Sequence, residues 1–174
     1  MSRAERSRFL TLVRHAKSSW KDPLLDDFDR PLNKRGRQNA PSMGRRLAAA
    51  GYRPDLIISS PARRARETAQ LIAEELAVAE EAPILYEPGI YGANETELLG
   101  IIRNFDDSCY EVALVGHNPG LTELASLLAA CRIENIVTCG VVRLELDLPA
   151  WRQARAQCGR MLFYDYPKNR LFTD

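Results

Sequence analysis

Short apolar runs and longer amphipathic stretches alternate along this chain. Phe9-Leu-Thr-Leu-Val13, Asp55-Leu-Ile-Ile-Ser59, Ile84-Leu-Tyr86 and Glu111-Val-Ala-Leu-Val115 have the length and character of strands, and each stops at a polar or turn-forming residue. Residues 35–50, 63–76, 95–104 and 121–130 instead place apolar positions at helical spacing. This alternation predicts an α/β domain, a three-layer α/β/α sandwich whose mostly parallel sheet is buried by helices on both faces. Residues 141–148 and 160–164 add two candidate strands near the C-terminus. At 174 residues, against roughly 150 per domain, and with no repeat, low-complexity segment or flexible linker, residues 1–174 are expected to form one domain.

Composition changes this picture little. Lys plus Arg number 24 against 23 Asp plus Glu, a net charge of +1, so no overall attraction to nucleic acid or to an anionic membrane is expected. Any anion site has to come from a local cluster. No stretch approaches the roughly 18 apolar residues that cross a bilayer, and the first residues lead only into a short apolar run, which argues against a secretory signal. The cysteines Cys109, Cys131, Cys139 and Cys158 form no CxxC pair. Reduced thiols in a cytoplasmic protein are the expectation.

Open α/β sheets bind ligands beyond the carboxyl ends of their strands, so the residues after each apolar run are the candidates for chemistry. Arg14-His15 follows the first run, Ser60 and then Arg63-Arg64 the second, Glu87 the third and His117-Asn118 the fourth. The chain holds only two histidines, and both fall at these positions. One such histidine is an ordinary hydrogen-bonding residue. Two imidazoles joined by arginines from separate loops can hold a doubly charged tetrahedral anion, because guanidinium matches phosphate oxygens in bidentate fashion. One imidazole can then attack phosphorus while the other donors stabilise charge on the equatorial oxygens. A metal needs three or four ligands and is repelled by neighbouring arginines, and no GxxxxGK[ST] loop is present. Phosphate chemistry without a nucleotide or metal is what remains.

These residues also carry a resemblance. Leu12-Val-Arg-His-Ala-Lys-Ser-Ser-Trp20 resembles the Arg-His-Gly signature of the histidine phosphatase superfamily, with Ala16 where glycine is usual. Ser60-Pro-Ala-Arg-Arg64 is similar to its second motif, whose register selects Arg64 over Arg63, and Gly116-His117-Asn118 to the motif of the second histidine. Within the superfamily the likeness is to the small SixA-type phosphohistidine phosphatases, through Arg14-His-Ala-Lys-Ser-Ser-Trp20, Asp29-Arg-Pro-Leu32 before Gly36, Gly116-His-Asn-Pro-Gly120 and the short length.

The resemblance implies a phosphoglycerate mutase-like fold and a metal-independent phosphatase without cofactor. It implies His15 as nucleophile, His117 as its partner, Arg14 and Arg64 as phosphate ligands, and Glu87 in the register of a general acid. Ser18 and Asn118 are candidate assistants to the phosphate pocket, each equally suited to a turn. Arg30 is a candidate for the pocket rim, against the alternative of a surface ion pair in an Asp29-Arg30-Pro31 turn. The implied substrate is a phosphohistidine on a protein, with a phosphorylated metabolite as alternative and an inactive phosphate-binding module as a third reading. Neither nucleic acid nor membrane is an expected partner, and the expected assembly is a monomer or weak dimer.

Overall fold

The structure, a computed structural model, describes residues 7–76, 82–130 and 132–169. Cys131 and the extreme N-terminus, on which two of the expectations above rest, lie outside these residues. Ten main elements follow one another as β1 (Ser7–Arg14), α1 (Lys34–Ala49), β2 (Leu56–Ser59), α2 (Arg63–Leu76), β3 (Ile84–Tyr86), α3 (Glu95–Ile102), β4 (Glu111–Gly116), α4 (Gly120–Ala129), β5 (Val141–Asp147) and β6 (Gly159–Asp165). The six strands form one sheet in the order β3-β2-β4-β1-β5-β6. Strands β1 to β4 run parallel, β5 pairs antiparallel with β1, and β6 antiparallel with β5.

The period-2 alternation of each strand builds the three layers. Leu10, Leu12, Val112 and Leu114 point into a core shared with α3 and α4, where Leu98, Ile102, Leu121, Leu124 and Trp151 are buried. Val13, Ala113 and Val115 face the opposite side and pack against Met43 and Leu47 of α1 and Ala69 and Ile72 of α2. Both faces of the central strands are therefore covered, which is why their sequences read as continuous apolar runs.

Local signals mark the helix ends. The Asn33 side chain accepts the Gly36 N–H at the start of α1, and Asn94 and Glu97 form a reciprocal capping box on α3. Helix α3 stops two residues before the predicted 104, because the Asn104 N–H bonds Ile101 O in a tighter last turn.

The topology decides where the chemistry falls. Because β1 and β4 are parallel neighbours, they end in register with Arg14 opposite Gly116, and the His15 N–H bonds Gly116 O at 3.0 Å. The next residue of β4's chain is His117. On β4's other side, the Ser60 N–H bonds Val115 O at 2.9 Å, which brings the end of β2 to the same edge. A Cβ at Gly120 would collide with the carbonyl oxygen of Ala93, so glycine there lets α4 begin close behind His117. Among the described residues, no helix is long and apolar enough to cross a membrane.

Candidate active site

His15 sits one residue past β1, half-buried, with Nδ1 2.8 Å from the carbonyl oxygen of Ala16. A carbonyl accepts only, so Nδ1 carries the proton and Nε2 keeps its lone pair. That lone pair faces Arg64, whose Nε lies 3.4 Å from His15 Nε2. Burial, aided by the charges of Arg64, Arg14 and Arg30 and opposed by the Ala16 carbonyl, lowers the imidazole to about 4. His15 is thus neutral near pH 7, with an unprotonated ring nitrogen available.

The His117 ring lies 5.1 Å from that of His15, inclined at 51°. Its Nε2 is 2.8 Å from Ser60 Oγ, while the buried Nδ1 has no hydrogen-bond partner among the described residues. Burial, with the neighbouring His15 and Arg64, lowers His117 to about 3. Arg14, at the last position of β1, donates from Nη1 to Ile136 O at 2.7 Å and to Asn135 Oδ1 at 3.3 Å. Burial lowers its pKa, and its charge contributes to lowering both histidines.

Arg64 occupies the first turn of α2 and is only 6% exposed. Its neighbour Arg63 turns outward instead and pairs with Glu67 one helical turn on, at 2.8 Å. Thr68, also one turn on from Arg64, ties helix to loop: its Oγ1 donates to Arg64 O at 2.6 Å and accepts the Ala16 N–H at 2.9 Å. The backbone beside His15 is thereby fixed to the turn that carries Arg64.

Asp27, not singled out by the sequence reading, is the hub of the rim. Its Oδ1 accepts from Arg30 Nη1 at 2.7 Å, and its Oδ2 accepts from Arg64 Nη2 and from Tyr91 Oη, each at 2.8 Å. Its backbone oxygen accepts from Arg64 Nη1. Burial alone would raise this carboxyl, but the hydrogen bonds from Tyr91, Arg30 and Arg64 outweigh it and hold the group at about 2. Tyr91 stands edge-on to His117 with ring centroids 5.5 Å apart, and Phe28 packs edge-on to Tyr91 at 5.1 Å.

The remaining candidates take other places. The alternative of an Asp29–Arg30 surface pair is corrected: Arg30 is buried, its acidic partner is Asp27, and its guanidinium stacks over Trp20 at 3.1 Å from the ring centroid. The Ser18 hydroxyl accepts from Arg30 Nη2, so Ser18 orients the rim arginine. The Asn118 amide donates to Asn135 Oδ1 at 2.6 Å and to Ile136 O at 3.0 Å, and its oxygen accepts from Thr122. Asn118 thus anchors the same loop that Arg14 holds. Glu87 follows β3 as expected, but its Oε1 caps the Gly89 N–H at 2.8 Å, and no hydrogen bond joins it to either imidazole among the described residues.

Asp27, Thr68 and Tyr91 are therefore the contributors that sequence reasoning did not assign, and Ser60, a candidate by its place after β2, takes the role of partner to His117. Asp27 had one local signal, its position one turn before Arg30. Nothing in its neighbourhood announces a bond to Arg64, 37 positions away. Among the described residues, no cluster of three or more His, Cys, Asp or Glu side chains is placed to hold a metal ion. What does converge here is two neutral imidazoles flanked by three guanidinium groups, an arrangement suited to an anionic, tetrahedral ligand.

Comparison with known proteins agrees with this geometry. The sequence profile of the histidine phosphatase superfamily (branch 1) matches residues 10–91. A chloroplastic Arabidopsis thaliana protein, itself without a described function, is 35% identical over 88% of this chain and 73% of its own length. A Mycobacterium tuberculosis protein, also without one, is 30% identical over 90% of this chain and its full length. A solved Agrobacterium tumefaciens structure described as a SixA phosphohistidine phosphatase superposes with a TM-score of 0.74 and 30% identity, covering 92% of this chain and 98% of its own. The chain belongs to the histidine phosphatase superfamily, and its fold is that of SixA and the phosphoglycerate mutases. Membership supports phosphatase activity at this site.

Proposed function

We propose that the protein is a metal-independent phosphatase that forms a phosphohistidine on His15 and acts on phosphohistidine displayed by another protein. The single observation that carries the first half is the His15 imidazole itself. Its proton is committed to the Ala16 carbonyl, its Nε2 accepts, among the described residues, only the long hydrogen bond from Arg64 Nε, and its lowered pKa keeps that nitrogen unprotonated at neutral pH.

The reaction follows from these groups. His15 Nε2 attacks phosphorus in line with the departing nitrogen, the new N–P bond forms as the substrate's N–P bond breaks, and the leaving imidazole takes a proton from solvent water. Arg14, Arg64 and His117 bind the equatorial oxygens, with arginine charge doing what a dication would otherwise do. Water then attacks the phosphoryl group on His15, releasing orthophosphate and restoring the neutral imidazole. Asp27 holds the two terminal nitrogens of Arg64, which leaves Arg64 Nε turned to His15. Imidazole leaves phosphorus more readily than an alkoxide does, so Glu87 matters most for poorer leaving groups.

Support for a protein substrate comes from the rim. Trp20 is 77% exposed and stacks on the rim residue Arg30, and Tyr91, packed against Phe28, stands beside His117, so apolar surface flanks the imidazoles as protein-binding surfaces do. The Agrobacterium relative's description points the same way. We place this activity in a single domain spanning residues 1–174, without a cofactor. The free thiols Cys109, Cys139 and Cys158 suit a reducing, cytoplasmic setting.

The test is a competition among a phosphohistidine carrier protein, a phosphoserine peptide and sugar phosphates, ranked by kcat/KM with and without a chelator. Preference for the phosphohistidine protein, unaffected by the chelator, is expected. A sugar phosphate or nucleotide winning by about a hundredfold, ~2.7 kcal/mol in transition-state binding, would overturn the substrate and leave the phosphatase. Loss of all activity on chelation would overturn metal independence.

A further inference from the structure

Beside the catalytic edge lies a second concavity of about 380 Å³, within the ~300–1,000 Å³ range of ligand-binding clefts. Lys17, Arg35 and Lys168 line it together with Asn39, Thr138 and Tyr166, and no carboxylate is among its lining residues. None of the three cationic side chains makes an ion pair or hydrogen bond among the described residues. In a chain whose total charge is only +1, this is a concentrated and uncompensated positive patch.

The fold assembles the patch deliberately close to His15. Lys17 is two residues past the catalytic imidazole, a reach of at most about 7 Å along the chain. A Cβ at Gly36 would collide with the Lys17 carbonyl oxygen, so glycine there lets the first turn of α1, and Arg35 with it, sit directly against that backbone. Opposite, the 137–139 segment is held by the Cys139 N–H, which bonds the carbonyls of Arg14 and His15 at 3.1 Å each. The third wall is braced by Arg46, whose Nη1 bonds Asp165 at 3.2 Å and Tyr166 O at 3.1 Å. Lys34 and Arg35 also stand at the N-terminal end of α1, where the helix dipole disfavours cations and where no acidic residue balances them. Helix stability does not explain that placement.

We infer that this groove is a docking site for an acidic segment flanking the phosphohistidine of the partner protein. The inference rests on the protein-substrate reading above and names the chemistry that would recognise the partner. Carboxylates of the segment pair with Lys17, Arg35 and Lys168, outside the reaction centre, so the groove affects encounter and binding and leaves the chemical step to His15.

Two synthetic phosphohistidine peptides test this, one with Asp and Glu flanking the phosphohistidine and one with Asn and Gln in their place, alongside phosphoramidate as a small substrate. For the unaltered protein, kcat/KM should favour the acidic peptide by about tenfold, which is ~1.4 kcal/mol, and the preference should shrink as salt rises. In Arg35→Gln/Lys168→Gln the preference should disappear while phosphoramidate turnover is unchanged, which also certifies the fold. Arg35→Glu/Lys168→Glu should prefer a Lys-flanked phosphohistidine peptide. Equal hydrolysis of the acidic and neutral peptides by the unaltered protein would overturn the groove's role alone. So would a preference that survives in both double variants, or a groove that binds inorganic phosphate only. Hydrolysis of phosphoramidate but of neither peptide would overturn the protein-substrate reading and the docking site together.

Discussion

Both ends of strand β1 carry an arginine, buried at the entry end and half-buried at the exit end, and they do opposite work. At the entry end, Arg8 is 4% exposed, donates to Pro149 O at 2.8 Å, lies 3.7 Å from Asp107 and stacks over Tyr110 at 4.2 Å. Its charge is answered within the protein by a carboxylate, carbonyls and an aromatic face. At the exit end, Arg14 and the incoming Arg64 and Arg30 meet two imidazoles, and among the described residues Asp27 is the one carboxylate that pairs with any of them. A buried nitrogen without a partner does not separate the ends, since Arg8 Nε and Arg14 Nε share that condition. The distinction lies in the surplus of cations at the end where parallel strands release their chains. A buried arginine is a structural device when its charge is balanced, and an anion site when several converge without balance.

Substitutions at the two ends should separate cleanly. His15→Ala should reduce phosphatase turnover by roughly a thousandfold or more, because a required nucleophile cannot be replaced by the remaining donors. Melting temperature, measured alongside, should change little. Arg64→Ala should cost about 10²–10³ in kcat/KM, the scale for removing one preorganised donor to transition-state charge. Arg8→Ala should do the reverse: kcat unchanged, and a stability loss of about 1–3 kcal/mol by denaturant titration, as buried acceptors are stranded. If Arg8→Ala lowered kcat as Arg64→Ala does, the contrast between the ends would fail.

Acid stability sharpens the comparison further. The imidazoles at the exit end titrate at about 4 and about 3 in the folded protein, below the ~6.5 of an unfolded chain. Between pH ~6.5 and those values the unfolded chain binds protons that the folded protein refuses, so stability should fall as pH drops through this window. The loss due to His15 should be complete near pH 4 and that due to His117 near pH 3. A His15→Ala variant should show a shallower decline from pH 6.5 to 4 in melting temperature. An identical slope would contradict the neutral, buried imidazole.

The smallest effect expected is that of Glu87→Gln. On a phosphoramidate it should change turnover by no more than about threefold, with a larger loss on an alkyl phosphate, whose alkoxide needs a proton to leave.

The layers, the strand ends and the two histidines were legible because each rests on local pattern: runs such as Glu111-Val-Ala-Leu-Val115, and the rule that chemistry gathers past parallel strands. The choice of Arg64 over Arg63 was legible from motif register, and the structure supplies its reason, since Arg63 faces outward to Glu67. Asp27 was not legible. Its partners, Arg64 and Tyr91, are 37 and 64 positions away and meet it only once the loop folds over the edge. For Ser18 and Asn118 the sequence leaves a phosphate-pocket role and a turn role equally open, and their side chains instead organise Arg30 and the 135–136 loop through tertiary hydrogen bonds that carry no signature in spacing.

The central claim is that His15 Nε2 accepts the phosphoryl group, and rapid acid-free quenching of the enzyme during turnover, followed by peptide mapping, tests it most directly. The expected result is an acid-labile phosphoryl group on His15, attached at Nε2 because Nδ1 is committed to the Ala16 carbonyl, and absent from His15→Ala. A phosphoryl group found on His117 instead, or full turnover by His15→Ala, would contradict it.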